Sequence, residues 1–307
     1  MNTPSITPLI SFSADSPFAS VFIKREDQSD AGSHKFRYLK PLLKKYQGEG
    51  IFTLVLSTTG NAGITAAHYG RKMGITVFCL MSDRGDLNKA AQLEKEGAFV
   101  VLSSRPLRFA KYLAKRYKVP FPRISGDALA LDAYASLGDE LIVQAQQAKA
   151  IVNFATSGTS SLGLMRAYES KGLKLPALHL VQSGKSCSIV RELHPEQVPT
   201  EAEFGIGLSE TPRKKELLGL IQKSGGDAWY VTDVDRQEAE RVLLENHLET
   251  SWEGVCSFAI ALRLKDRYES LVCIFSGKKW PKAELVSPRR AETFQDMDRL
   301  WEEFLSL

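Results

Sequence analysis

The sequence predicts an α/β protein of two lobes, each an open, mostly parallel sheet flanked by helices. Three observations carry this. Short apolar runs alternate with amphipathic stretches of helical length from Ile51 to Phe275, the pattern of parallel strands covered by helices. Gly74 and Gly97 stand just past expected helix ends, where glycine commonly closes a last turn. A looser stretch from Pro120 to Asp132, with Pro120, Pro122 and Gly126, interrupts the rhythm and reads as a crossing between lobes. The expected division is a larger lobe at 1–48 and 133–307 and a smaller inserted lobe at 49–132.

Taken in order, Val21-Phe22-Ile23 reads as a strand that breaks at polar residues and Gly32. It delivers Lys35 to the first turn of a helix with apolar positions Phe36, Leu39, Leu42 and Leu43. Ile51 to Leu56 is a buried strand and Ala62 to Met73 a helix. Ile75 to Met81, Leu87 to Glu96, Phe99 to Leu102 and Pro106 to Tyr117 repeat the unit. After the crossing, Ala135 to Ala148 reads as helix, Ala150 to Ala155 as strand, Ser160 to Lys171 as helix and Leu178 to Gln182 as strand. Ser183 to Pro212 contains three prolines and exceeds a compact connector, so short elements or a mobile loop are expected there. Lys214 to Ser224, Trp229 to Val231, Asp235 to His247, Val255 to Tyr268 and Leu271 to Phe275 complete the alternation. Ala291 to Leu307 is amphipathic, with Phe294, Met297, Leu300, Trp301, Phe304 and Leu305 along one side. Packing on its own domain and a homodimer contact both account for that face.

Composition excludes several classes. The chain has 307 residues, 43% hydrophobic and 25% charged, which is ordinary globular composition with room for a substantial core. Its net charge is +4, and basic residues are dispersed apart from short runs such as Arg213-Lys214-Lys215, so no nucleic-acid partner is expected. Cys79, Cys187, Cys256 and Cys273 lie far apart with no Cys-x-x-Cys pair. Reduced thiols in a cytoplasmic protein suit that pattern better than disulfides or a zinc site, and no metal is expected. Met1 to Phe18 has no cationic start followed by an apolar run. No run reaches the roughly 20 apolar residues of a membrane span, so a soluble chain without a membrane partner is expected.

Three loops stand at strand-to-helix junctions, where open α/β sheets place their ligands. Ser57-Thr58-Thr59-Gly60-Asn61-Ala62-Gly63 sets hydroxyls and accessible backbone N–H groups at a helix start, a seat for a carboxylate or a plain helix cap. Asn61 adds a neutral amide. Thr156-Ser157-Gly158-Thr159-Ser160-Ser161 gathers five hydroxyl residues around one glycine at the next such junction. Short donors and a positive helix end suit a phosphate dianion. The loop lacks the lysine of a nucleotide P-loop, and Ser183-Gly184-Lys185-Ser186 has His179 where the leading glycine belongs, so ATP is disfavoured. Gly158-Thr159-Ser160-Ser161-Leu162 ends in leucine, which argues against a serine-hydrolase elbow. The third loop is Phe275-Ser276-Gly277, whose hydroxyl can bond a heteroaromatic nitrogen or simply sit in a turn.

In this order the lysine, the asparagine loop, the hydroxyl loop and the late serine resemble the fold-type II family of pyridoxal-phosphate enzymes. This is the tryptophan synthase β and cysteine synthase superfamily, and within it the chain is similar to threonine synthases. Lys24-Arg25-Glu26-Asp27 with Gly32-Ser33-His34-Lys35 resembles the family's lysine segment, and Ser57 to Gly63 its asparagine loop. The likeness continues through Ile206-Gly207 to Pro212, Ser224-Gly225-Gly226, Trp252-Glu253-Gly254 and Ser276-Gly277. Three departures stand out. Phe36-Arg37 follows the lysine where threonine synthases usually carry Asp-Arg. Ser160 and Ser161 stand where relatives usually have further glycines. Lys278-Lys279-Trp280 replaces a Gly-Leu-Lys-type run.

The resemblance implies a tryptophan synthase β-like fold, pyridoxal 5′-phosphate as cofactor held mainly by the larger lobe, and a role in amino-acid metabolism. Lys35 would be the catalytic covalent anchor, and Asn61 would hold the cofactor's 3′-oxygen. Thr156, Ser157, Gly158, Thr159, Ser160 and Ser161 would hold its phosphate, and Ser276 would meet its ring nitrogen. Ser57, Thr58, Thr59 and Gly60 would take the carboxylate of a small amino-acid substrate. The implied activity is a carbon–oxygen lyase or synthase that performs β- or γ-elimination or replacement, like threonine synthase. β-Replacement on an O-activated serine, like cysteine synthase, and a catalytically inactive cofactor- or partner-binding homologue remain the alternatives. Arg25, Arg37 and Lys185 are the candidate cations for a phosphorylated substrate.

Overall fold

The structure is a computed structural model that describes residues 6–12, 20–184, 187–198, 210–284 and 289–306. Lys185 and Ile206-Gly207 lie outside them. Along the chain come β1 (Leu9–Phe12), β2 (Ser20–Lys24), α1 (Phe36–Gly48), β3 (Thr53–Ser57), α2 (Asn61–Met73), β4 (Thr76–Ser82), α3 (Leu87–Lys95), β5 (Phe99–Ser103) and α4 (Pro106–Tyr117). They are followed by α5 (Ala128–Gln144), β6 (Ala150–Phe154), α6 (Thr159–Ser170), β7 (Ala177–Gln182), α7 (Ser188–Leu193), α8 (Lys214–Ser224) and β8 (Asp227–Tyr230). The last are α9 (Asp233–Glu245), α10 (Trp252–Leu264), β9 (Ser270–Ile274), β10 (Arg289–Arg290) and α11 (Phe294–Leu305).

The chain forms two α/β units. One comprises Met1–His34 with Ile124–Lys279, the other Lys35–Arg123 with Trp280–Leu307. The first holds a six-stranded sheet in the order β1-β2-β9-β6-β7-β8. Every pairing in it is parallel except β1 with β2. β6, β7 and β9 are buried along their whole lengths. They are near-continuous apolar runs because helices cover both faces of a parallel sheet. Val152, Cys273 and Val181 pack on one face with Phe258 and Ile260 of α10. Ile151, Val272 and Leu180 pack on the other with Leu137 and Leu141 of α5 and Leu164 of α6. Gly138 and Gly163 let α5 and α6 approach closely: a Cβ at Gly138 would come within 2.2 Å of the Leu164 carbonyl oxygen.

The second unit holds an all-parallel sheet in the order β10-β5-β4-β3. Its core joins Val55, Phe78, Leu80 and Val101 to Leu113 of α4 and to Met297, Leu300, Trp301 and Phe304 of α11. The amphipathic side of the C-terminal helix therefore packs on its own unit.

Sequence expectations meet a difference at the unit boundaries and at the start of α5. The units divide at 34/35, 123/124 and 279/280 rather than at 48/49 and 132/133, because α1 packs on α2 and α11 on α4. α5 starts at Ala128, seven residues before the expected Ala135, because Asp127 caps it by accepting the Leu129 N–H at 2.9 Å. α4 ends on Lys118 at φ 55°, a left-handed turn made without glycine. The described part of Ser183–Pro212 contains α7 and a short 3-10 turn at Pro195–Gln197.

Candidate functional site

In the first unit, three of the expected segments leave the carboxyl ends of neighbouring parallel strands. β2 leads into Ser33-His34, β9 into Ser276-Gly277 and β6 into Thr156–Ser161, and β2, β9 and β6 are adjacent in the sheet. That edge is where parallel α/β sheets bind ligands.

The approach to Lys35 is tightly built. Arg25 grips Asp27 through Nε–Oδ1 at 2.9 Å and Nη2–Oδ2 at 2.8 Å, and Nη2 also bonds the Glu249 carbonyl at 3.3 Å. Burial pushes the Asp27 carboxyl up, and the Arg25 guanidinium opposes that rise. Arg25 is thus committed within the fold, which removes it from the candidate cations for a substrate phosphate. The turn that follows closes when Ser29 Oγ accepts the Ser33 N–H at 3.0 Å and Gly32 takes φ 69°. His34 then donates its N–H to the Ser276 carbonyl at 2.9 Å, and Lys278 donates to the Gly32 carbonyl at 2.8 Å. Gly277 is fixed from another side by Thr250 Oγ1 at 3.1 Å and the Ser251 N–H at 2.7 Å. Ser276 is buried. Lys35, half-buried, caps α1 and follows directly on the residue that bonds Ser276.

The hydroxyl loop opens α6. Gly158 sits at its N-cap with φ 72°, and a Cβ there would come within 2.2 Å of Leu217 Cδ1. Both the backbone and the space demand glycine at this position. Thr156 and Ser157 are half-buried, whereas Thr159, Ser160 and Ser161 are buried. Ser157 Oγ and Thr159 Oγ1 bond each other at 3.1 Å.

Two amides that sequence reasoning passed over hold this loop from the sheet. Asn153 of β6 donates to Ser161 Oγ at 2.9 Å and Ser160 Oγ at 3.3 Å. Gln182, at the end of β7, donates to the Ala155 carbonyl at 3.2 Å and Thr211 Oγ1 at 3.1 Å, and accepts the N–H groups of Ile189 and Val190. The signal available for both was a polar amide near the end of an otherwise apolar strand.

In the second unit, the asparagine loop leaves the carboxyl end of β3 and opens α2. Thr58 closes the loop: its Oγ1 accepts the N–H groups of Gly60 at 3.0 Å and Gly63 at 3.1 Å, which leaves its O–H to donate, while its own N–H bonds the Leu80 carbonyl. Ser57 is half-buried and Thr59 exposed. Gly60 takes φ 130°, and a Cβ there would strike Lys89 Cδ at 2.4 Å. The Asn61 amide oxygen is buried and has no hydrogen-bond partner among the described residues.

Parallel sheets with donor-rich loops at their carboxyl edges define an α/β protein of the class that binds ligands at such edges. Residues 2–277 match the family described as "Pyridoxal-phosphate dependent enzyme", and the chain belongs to it. It is 26% identical to a threonine synthase of Methanosarcina acetivorans over 84% of this chain and 69% of that protein. It is 37% identical to a serine dehydratase-like protein of Mus musculus over 33% of this chain and 31% of that protein. Among solved structures it resembles O-acetylserine-dependent cystathionine β-synthase from Helicobacter pylori, with a TM-score of 0.75 at 21% identity, covering 89% of this chain and 92% of that one.

The residues present fit the family's cofactor. The α6 start offers hydroxyls and a helix N-terminus to a phosphate, and Asn61, the first residue of α2, carries an amide N–H that can donate to a ring oxygen. No helix among the described residues is long and apolar enough to cross a membrane.

Proposed function

We propose that this pyridoxal-phosphate-dependent enzyme eliminates or replaces a group at the β- or γ-carbon of a small amino acid, in the manner of a threonine synthase. The observation that carries the reading is the meeting of three segments at one sheet edge: the hydroxyl loop after β6, Ser276 after β9, and the His34 N–H on the Ser276 carbonyl directly before Lys35. Lys35 would hold the cofactor covalently, and its amine would move the proton at the substrate's α-carbon. The bound cofactor supplies the electron sink for that carbon. Thr156 to Ser161 would hold its phosphate, Ser276 would meet its ring nitrogen, and the Asn61 amide N–H would donate to its ring oxygen. A neutral hydroxyl at the ring nitrogen keeps the ring less protonated than a carboxylate does, which suits elimination and replacement better than transamination. Ser57, Thr58, Thr59 and Gly60 would receive the substrate carboxylate, with Thr58 Oγ1 and Gly60 also shaping the loop that does so.

The threonine synthase reading draws its support from a likeness spanning 84% of the chain. A second reading, β-elimination on a hydroxyl amino acid, is supported by the 37% identity to a serine dehydratase-like protein over 33% of this chain. The purified protein is expected to show a near-ultraviolet to visible absorbance band that Lys35→Ala abolishes together with activity. A protein that stays colourless with added cofactor sinks the reading. Assays for phosphate from O-phosphohomoserine, ammonia from serine or threonine, and acetate from O-acetylserine separate the reactions.

A further inference from the structure

We propose that Asn153 is a positioning residue that sets the polarity of the anion seat at the start of α6. The inference rests on the reading above, in which Thr156 to Ser161 hold the cofactor's phosphate. Asn153 is fully buried in β6, whose other residues are Ala150, Ile151, Val152 and Phe154. Its Nδ2 donates to both Ser160 Oγ and Ser161 Oγ. A hydroxyl has one proton and two lone pairs. Where an amide N–H occupies a lone pair, the proton turns away from the amide. Ser160 and Ser161 then present O–H donors, which add to the backbone N–H groups of the first helical turn. An acceptor in the same place would draw those protons inward and leave lone pairs facing an anion.

A further observation favours this role over simple packing. The Asn153 oxygen is buried with no hydrogen-bond partner among the described residues, a desolvation cost that valine or leucine in this strand would not incur.

Pyridoxal 5′-phosphate and pyridoxal differ only in the phosphate, so the ratio of their affinities for the cofactor-free protein isolates the seat from the rest of the site. Asn153→Asp keeps the size, turns the donor into an acceptor and adds a negative charge, so Asn153→Leu, which removes the donor alone, is read beside it. Asn153→Asp is expected to cut the preference for the phosphorylated form tenfold or more, with pyridoxal affinity held within about twofold. Asn153→Ser, which keeps one donor, is expected to retain part of the preference. If Asn153→Asp does not fold, Asn153→Leu carries the test, with a loss of preference of about threefold expected. An equal loss for both ligands assigns Asn153 to packing and overturns the proposal. An unchanged preference overturns it too, because the amide oxygen would then face the serines. A wild-type protein that binds neither ligand overturns the cofactor reading itself. A wild type that prefers the phosphate, beside variants that prefer it equally, overturns only the role of Asn153.

Discussion

His179 of β7 holds a neutral imidazole in an identifiable tautomer. Trp229 Nε1 can only donate, and it donates to His179 Nδ1 at 3.0 Å, so the proton sits on Nε2 and points to Tyr268 Oη at 2.8 Å. Burial pushes the group down to about 4; Asp227 opposes that shift and Arg267 adds to it. The folded value lies below the ordinary 6.5, so between the two the unfolded chain binds more protons. The stabilisation is complete above pH 6.5 and is lost as the pH falls towards 4, at up to about 1.4 kcal/mol per pH unit. Urea midpoints measured from pH 7 to pH 5 are expected to fall more steeply for the wild type than for His179→Phe. Parallel slopes would show that another group sets the acid limit.

At the scale of elements, the tie between β2 and α5 matters most in the first unit. Lys24 Nζ is fully buried and bonds Glu140 Oε2 at 2.5 Å, Gln144 Oε1 at 2.6 Å and the Thr7 carbonyl at 2.8 Å. Removing one member of a buried ion pair costs about 3–5 kcal/mol, while replacing both with apolar groups is often nearly neutral. Lys24→Met is therefore expected to destabilise by that amount and Lys24→Met/Glu140→Leu to recover most of it, as read by chemical denaturation. The interior strands and most helices were legible because apolar runs of strand length alternate with helical periodicity. The start of α5 was not: its cap, Asp127, lies inside a stretch that proline and glycine mark as loop. β1 and the two-residue β10 are too short to announce themselves. The hydroxyl loop was legible because many hydroxyls at a helix start are unusual. Asn153 was not, because one amide in an apolar strand reads as an ordinary residue until its partners are known. Lys24 likewise looked like a charge at a strand end, since only the fold brings Glu140 to it.

At the scale of the whole molecule, the family match ends at residue 277, yet the remaining residues complete the second unit. Trp301 stacks on Tyr117 at 5.1 Å and meets Phe78 at 5.3 Å, while Phe304 lies edge-on to Phe78 and Phe99. Asp298 accepts from both Tyr112 and Tyr117. The β2–β9 pairing has a consequence for how the molecule comes to exist. Ser20 aligns with Ser270 and Lys24 with Ile274, so β2 waits for a strand about 250 residues further along the chain. A ribosome would have released most of the chain before this sheet could close. Closing so long a loop before any contact rewards it makes folding slow. Refolding from denaturant is expected to show a fast phase, from helices and local strand–helix units, well separated from a slow one. Hydrogen-exchange labelling during refolding should find the β2 and β9 amides protected only in the slow phase; early protection there would refute this order.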